Sequence, residues 1–149
     1  MSIGEICNRE VVFVNRDTTV QAGAKLMRHY HVGSLVAVDD VAGKRMPVGI
    51  LTDRDIVMEV DAMELDPKVI TVGDIMTSEL ITVPESEGIL ETMEVMRFKG
   101  VRRLPVVGGD GQLVGIVTID DLLGILAEEL TDLTRIVSKE QAREMQGRK

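Results

Sequence analysis

The sequence predicts an α+β fold made of two copies of one β-α-β-β-α repeat, packed with pseudo-two-fold symmetry. The phrases "GILTDRD" (Gly49 to Asp55) and "GIVTIDD" (Gly115 to Asp121) are near copies of each other. A shift of 69 residues also aligns "EICNREVVFV" with "DIMTSELITV". The shift falls to 66 after "DDVAGKRMP", an expected loop three residues longer than "GGDGQL". Similarity along about fifty residues, with its gap in a loop, indicates an internal duplication.

Each copy begins with a short strand and a helix. The strand is "VVFV" or "LITV". We expect the helix to begin at Asp17 in the first copy and at Ser86 in the second, because both residues are good N-caps. The apolar positions of this helix recur at i, i+4 and i+7, which places them on one face.

Two strands and a last helix complete each copy. The strands are "SLVAV" and "PVGIL" in the first copy, and "LPVV" and "LVGIV" in the second. Runs such as "SLVAV" do not alternate, which is typical of strands covered on both faces. The last helix begins near the Thr-x-x-Asp, as "RDIVMEV" or "DDLLGIL". The glycines of "GGDGQLVG" fit a hairpin turn, because the third glycine of a nucleotide-binding G-x-G-x-x-G is missing.

These elements predict a first repeat over residues 1–66, a second over 67–127 and a helical tail over 128–149. One repeat of about 60 residues buries a marginal core alone, so we expect the two to form one module. Pro67 stops any helix in the connection. The tail carries an apolar helical stripe at Leu126, Leu130, Leu133 and Val137. Such a helix packs on the protein's own surface or at a dimer seam, or it carries a signal to a partner.

Composition excludes several classes of function. The net charge is -8, from 17 basic and 25 acidic residues, which argues against broad nucleic-acid binding. No leader and no apolar run of about 18 residues is present, so we expect a cytoplasmic protein with no membrane segment. Cys7 is the single cysteine, and neither it nor His29 and His31 has partners spaced for a zinc site or a catalytic triad. We therefore predict no metal site, no catalytic residue and no enzymatic activity.

The repeated Thr-x-x-Asp has two interpretations. A threonine at a helix start and an acid three residues later can form a capping box. The same junction can also bind a ligand, because free backbone N–H groups attract phosphate and an ionised Asp accepts hydrogen bonds from ribose hydroxyls. Its recurrence in register in both repeats favours a ligand cleft.

The segment "VRRLPVV" adds local positive charge to an acidic chain. Arg102 and Arg103 begin a predicted strand, so at most one of them points into a given pocket. Arginine binds phosphate well. The alternative is a solvated or ion-paired strand edge.

The order and duplication of these motifs resemble the cystathionine-β-synthase (CBS) domain pair, or Bateman module. "VGDIMT" and "RRLPVV" are also typical of that family, and the resemblance extends from about Ile3 to Leu126. It implies a regulatory module that binds an adenosine-containing ligand (AMP, ADP, ATP or S-adenosylmethionine) between the repeats and requires no cofactor. It further implies a homodimer in which helices of two pairs meet.

The resemblance also implies two ligand clefts, each completed by the other repeat. Asp55 of the first would hold ribose and its arginines phosphate, while aliphatic side chains would clamp adenine. Cleft one would comprise Thr52, Asp55, Leu80, Ile81, Val101, Arg102 and Arg103. Cleft two would comprise Thr118, Asp121, Val11, Val12, Gly33 and Ser34. Gly33 and Ser34 replace the two arginines there, which favours a less negative ligand or none.

Two other functions stay open at the level of sequence. The clefts could be vestigial, leaving a ligand-independent module that dimerises or docks a regulated protein partner. An enzyme acting on nucleotides would have only Asp55 and Asp121 as candidate acids, without a metal or base around them.

Overall fold

The structure is a computed structural model that describes residues 1–77 and 79–148. The chain divides into two compact units, of which the first spans Met1–Val117 and the second begins at Thr118. The first unit contains both three-stranded sheets, apart from the last residue of the final strand, and the second consists of one long helix.

The first repeat has the predicted order of strands and helices, preceded by one short helical turn. Its strands form a sheet in the order β1-β2-β3, with β1 parallel to β2 and β2 antiparallel to β3. A π-helical turn, Val57–Asp61, continues α3 and ends before Pro67. The elements are α1 Ile3–Ile6, β1 Phe13–Val14, α2 Val20–Tyr30, β2 Ser34–Val41, β3 Lys44–Thr52 and α3 Asp53–Ile56.

The second repeat has the same order, with its sheet arranged β4-β5-β6. Its elements are α4 Val72–Ile75, β4 Val83–Pro84, α5 Ile89–Lys99, β5 Arg103–Val107, β6 Leu113–Thr118 and α6 Ile119–Gly147. The β5–β6 connection is the turn expected for "GGDGQL", closed by a hydrogen bond from Gly108 N to Gln112 O of 2.9 Å. The predicted fold class is therefore confirmed.

The predicted helix starts at Asp17 and Ser86 are wrong by two or three residues. Asn15 Oδ1 accepts from the backbone N–H of Asp17 and from the Thr18 hydroxyl, which forms a turn before the helix. Thr19 is the N-cap of α2 instead, and its hydroxyl accepts from Ala22 N at 3.2 Å. Ser86 lies in a turn closed by Glu87 N and Pro84 O, so Gly88 is the N-cap of α5.

The segment "DDVAGKRMP" was expected to be a loop, and most of it is strand. β2 runs to Val41 and β3 begins at Lys44. Ala42 and Gly43 form the tip, with φ of 54° and 80°. Two consecutive positive φ angles suit the right-handed twist of a tight hairpin. The three extra residues therefore lengthen a hairpin.

The two short helices α1 and α4 are exchanged between the repeats. In α1, Gly4 N donates to Glu85 O at 2.8 Å; in α4, Gly73 N donates to Arg16 O at 2.9 Å. Isolated bridges join Ser2 to Gly88 and Thr19 to Thr71 in the same reciprocal manner. Each of these partners is related to its counterpart by the 69-residue shift. The exchange makes the pseudo-two-fold symmetry visible in individual hydrogen bonds and joins the two repeats into one unit.

The core of the first repeat incorporates a residue of α4. Val72 is fully buried in the cluster formed by Val14, Met27, Leu35, Ala37 and Leu51. Ile3, the equivalent residue in α1, is also fully buried. The core of the first repeat is therefore incomplete without α4, and the burial of Ile3 indicates the same relation between α1 and the second repeat.

The glycines that begin the two repeated phrases lie under the exchanged segments. A Cβ placed on Gly115 would lie 2.6 Å from Cys7 Sγ and 3.0 Å from Asn8 O. A Cβ on Gly49 would lie 2.5 Å from Met76 Sδ. The glycine in "GILT" and "GIVT" is therefore explained by close packing rather than by ligand binding.

We expect Gly115→Ala to lower the free energy of unfolding by about 1–3 kcal/mol, because the short Cys7 side chain and the Asn8 backbone cannot move aside easily. Gly49→Ala is the matched control, and we expect it to cost less because Met76 can change rotamer. Urea denaturation of both variants measures the difference. Equal losses would contradict this account.

Candidate functional site

The first Thr-x-x-Asp motif forms a complete capping box. Thr52 is the N-cap of α3, and its hydroxyl accepts from Asp55 N at 3.1 Å. Asp55 Oδ2 accepts from Thr52 N at 2.9 Å. Both residues are half-buried. Within the described residues, Oδ1 of Asp55 has no hydrogen-bond partner, so one carboxylate oxygen stays available to a ligand.

The second motif has the same geometry within the second unit. Thr118 is the N-cap of α6; its hydroxyl accepts from Asp121 N at 3.3 Å, and Asp121 Oδ2 accepts from Thr118 N at 2.9 Å. Both residues are again half-buried. Both motifs thus form the capping box expected from their spacing. Each box uses only Oδ2 of its aspartate, so Oδ1 can still bind a ligand.

Two further capping boxes show that the spacing alone does not identify a ligand site. Thr71 N donates to Asp74 Oδ2 at 2.9 Å at the start of α4, and Ser2 N donates to Glu5 Oε2 at 2.8 Å at the start of α1. Backbone and side-chain hydrogen bonds with Thr71 lower the pKa of Asp74. The Thr71 box was not recognised in the sequence, although it has the same spacing. Specificity must therefore come from the neighbours of each box.

Arg103 of the second repeat lies beside the first motif. A Cβ on Gly33 would lie 3.2 Å from Asp53 Oδ2 and 3.6 Å from Arg103 Nη1. Because both atoms lie close to this one point, the Asp53 carboxylate and the Arg103 guanidinium are near each other. Across residues 1–77 and 79–148, Arg103 forms no ion pair within 4.0 Å and no side-chain hydrogen bond. A half-buried guanidinium without such a partner is suited to an anionic ligand.

Gly33 and Ser34 lie beside the first Thr-x-x-Asp motif as well. Gly33 O accepts from Asp53 N at 3.0 Å, and Ser34 is the cross-strand neighbour of Thr52. The sequence placed Gly33 and Ser34 in cleft two and Thr52 and Arg103 in cleft one. The structure brings members of both predicted sets together in the first unit, and the assignment of residues to two separate clefts stays a prediction.

The remaining residues of cleft one differ in exposure. Arg102 precedes β5 and is exposed, whereas Arg103 begins the strand and is half-buried. Only one of the two arginines thus packs inward, as the alternation along a strand requires. Leu80 and Ile81 precede β4, and Val101 follows α5; all three are half-buried.

Val11 and Val12 line a cavity of about 550 Å³ in the first unit. Both valines precede β1, because the strand predicted for "VVFV" is confirmed only at Phe13–Val14. The cavity is large enough for a small ligand, since such sites span about 300–1,000 Å³. Its other lining residues are Asn8, Glu10, Phe13, Leu26, Tyr30 and Val32.

Sequence reasoning missed Asp53 and the residues of α2 that line this cavity. Asp53 could have been found by comparing the two motifs, because the aligned residue in the second repeat is Ile119. Leu26 and Tyr30 lie outside the i, i+4 and i+7 positions, counted from Val20, that the pattern placed on one face of the helix. Whether a helix face lines a cavity or packs in the core depends on which strand or helix lies against it. The pattern of apolar residues along one helix does not contain that information.

Among the described residues, the structure contains neither a metal-binding cluster nor a membrane-spanning helix. No group of three or more His, Cys, Asp or Glu side chains is placed to hold a metal ion within residues 1–77 and 79–148. In the same part of the chain, no helix combines the length and apolar character required to cross a membrane.

A family model for the CBS domain matches the chain twice, at residues 3–62 and 72–128. The chain belongs to the CBS domain family. It is a CBS pair, and the two matched segments correspond to the two repeats joined by the exchanged helices. CBS pairs are regulatory modules.

Known proteins resemble this CBS pair in both sequence and fold. An uncharacterized protein of Methanopyrus kandleri is 38% identical over 125 residues, which cover 84% of this chain and 62% of that protein. A protein with CBS domains from Burkholderia ambifaria has a TM-score of 0.75 at 30% identity, covering 85% and 93% of the two chains. The CBS pair of protein MJ0100, solved with 5′-methylthioadenosine and S-adenosylmethionine, has a TM-score of 0.74 at 26% identity, covering 85% and 99%.

Proposed function

We propose that the chain is a cytoplasmic, non-enzymatic sensor that binds an adenosine-containing ligand between its two CBS repeats and acts as a homodimer. The observation that carries this proposal is the half-buried Arg103, which lies beside the first Thr-x-x-Asp motif without an ion pair among the described residues. The similarity to the MJ0100 pair, which binds two adenosine compounds, supports the ligand class. AMP, ADP, ATP and S-adenosylmethionine are the candidates.

In cleft one, different side chains would contact the ribose, the phosphate and the adenine of the ligand. Asp55 would accept the ribose hydroxyls through Oδ1, since Oδ2 is occupied by Thr52 N. Arg103 would donate to phosphate, and Arg102 would add charge from an exposed position. Leu80, Ile81 and Val101 would contribute aliphatic surface to the adenine, which fits a chain with only 2% aromatic residues.

Cleft two is suited to a less negative ligand. Gly33 and Ser34 supply no positive charge, whereas Val11 and Val12 supply an apolar wall with a cavity already open beside them. Thr118 and Asp121 would provide the polar contacts. A sulfonium or uncharged adenosine compound fits such a cleft better than a triphosphate does.

Binding would regulate only if the ligand prefers one arrangement of the repeats. The exchanged α1 and α4 tie each repeat to the other through backbone hydrogen bonds. A ligand held by Asp55 of the first repeat and Arg103 of the second would add a further link between them. The occupied state would then be more rigid, and a regulated partner protein could distinguish it from the empty state.

Calorimetric titration with AMP, ATP and S-adenosylmethionine tests this function directly. We expect Asp55→Ala to weaken binding at cleft one by roughly ten- to a hundredfold, because it removes hydrogen bonds to a charged acceptor. Asp121→Ala should leave that site intact.

Asp74→Ala is the matched control. It removes a capping box of the same type outside both predicted clefts, so it reports the cost of losing a cap alone. If none of the three ligands binds at millimolar concentration, the proposed function is wrong.

The exposed apolar side chains of α6 favour a second candidate function, that of an interaction module with vestigial clefts. Leu126, Leu130, Leu133 and Val137 are 41–64% exposed. Tight association of the ligand-free protein, unchanged by nucleotides, would support this candidate over the sensor.

A further inference from the structure

The long helix α6 presents an apolar stripe with the spacing of a coiled coil. Its members alternate at intervals of four and three residues, which keeps them on one face of a helix paired with another helix. They are Ile119, Leu123, Leu126, Leu130, Leu133 and Val137, with exposed fractions between 36% and 64%. The next two positions of the pattern are Glu140 and Glu144, so the stripe ends there.

Half of this stripe lies outside the CBS repeats. The family model ends at residue 128, while α6 continues to Gly147. Leu130, Leu133 and Val137 are therefore a feature of this chain and not of the CBS fold. A helix that exposes so many leucines on one face requires a partner in water.

Charge on α6 is segregated along its length. Residues 119–134 contain five acidic and no basic side chains. Residues 135–148 contain four basic and two acidic side chains. The helix is thus negative in its first half and positive in its second. Its charges are therefore complementary to those of a second copy of α6 that runs in the opposite direction.

We propose that α6 packs antiparallel against α6 of a second copy of this chain. Leu130 would lie opposite the second copy's Leu133, and Leu126 opposite its Val137. This arrangement places the acidic half of each helix along the basic half of the other. A parallel pair would place the two acidic halves side by side, which is unfavourable. The proposal rests on the homodimer proposed above and names the surface that forms it.

Sedimentation of the full chain tests the surface. We expect Leu130→Asp to weaken the dimer at least about a hundredfold, since a charge would face the stripe in both copies. Thr131→Asp is the matched control: it adds the same charge one residue away, off the stripe, and should leave the dimer at wild-type strength. A Leu130→Asp protein as dimeric as wild type would overturn the proposal and leave the homodimer standing.

Disulfide trapping tests the orientation. In a Cys7→Ser background, Leu126→Cys and Val137→Cys are made in separate chains, mixed and oxidised. An antiparallel pair yields a disulfide between position 126 of one chain and 137 of the other. A parallel pair yields 126–126 and 137–137 products, which would overturn the orientation. A monomeric wild-type protein would overturn both this surface and the homodimer, while nucleotide titration would still report on the sensor separately.

Discussion

Replacing Ile3 by alanine is expected to lower the free energy of unfolding by about 2–5 kcal/mol, the usual cost of truncating a fully buried isoleucine. Ile3 is 0% exposed. The exchange of α1 and α4 accounts for this burial, because it places α1 on the second repeat.

The cause is the docking of α1 on the second repeat. Ile3 N donates to Glu87 O at 2.7 Å, and Asn8 exchanges two backbone hydrogen bonds with Ile116, each 2.9 Å long. These bonds fix the segment at Ile3 and again five residues later, at Asn8. The surroundings therefore cannot collapse easily into the space left by the missing side chain, and the cavity cost is retained.

Urea or thermal denaturation measures this loss, with Leu90→Ala as the control. Leu90 is 67% exposed on α5, so its truncation should change stability by no more than about 0.5 kcal/mol. A loss below about 1 kcal/mol for Ile3→Ala would show that α1 contributes little to the folded state.

The sequence predicted the duplication and its elements because each repeat carries its own local pattern. Strand patterns such as "SLVAV" and the helix starts at Thr52 and Thr118 depend on residues close in the chain. The exchange depends on contacts such as Gly4 with Glu85, which are distant in sequence. The alignment paired the segment of α1 with that of α4 without predicting that either is helical, and such a pairing does not say which repeat each segment packs against.

The misplaced helix starts have a local cause of a different kind. Asp17 has a side chain suited to an N-cap, yet Asn15 Oδ1 accepts from the backbone N–H of Asp17 and keeps that residue in a turn. Asn15, Asp17 and Thr19 are all residues that can cap a helix. Capping propensity alone therefore cannot identify which of them precedes α2. Thr19 prevails in α2, since its hydroxyl reaches Ala22 N.

The candidate site was predictable only in part, for a related reason. Arg103 could be named from its charge in an acidic protein, whereas its proximity to Gly33 and Asp53 arises from the packing of one repeat on the other. Asp53 lies outside the motif positions shared by both repeats. A search for shared positions therefore passes over this residue, although the two motifs differ in charge there.

Arg103→Ala is expected to weaken AMP binding by about a hundredfold and to leave adenosine binding nearly unchanged. A guanidinium that donates to phosphate forms charge-assisted hydrogen bonds, which are among the strongest in proteins. Adenosine has no phosphate and would not use them. Arg102→Ala should have a smaller effect, because Arg102 is exposed and more strongly screened by solvent. The ratio of AMP to adenosine affinity, measured by calorimetry, separates loss of the phosphate contact from general damage to the site.

Asp53→Asn should change the same ratio in the opposite direction. Its carboxylate lies close to Arg103 and would repel a phosphate bound by that guanidinium, by roughly 1 kcal/mol for charges well screened at a protein surface. We therefore expect AMP to bind about fivefold more tightly to Asp53→Asn and adenosine to bind as before. Arg97→Ala, an exposed change on α5, should alter neither affinity. Equal changes for AMP and adenosine in both variants would mean that Arg103 and Asp53 do not face phosphate, whereas opposite shifts confined to AMP would place the phosphate between them.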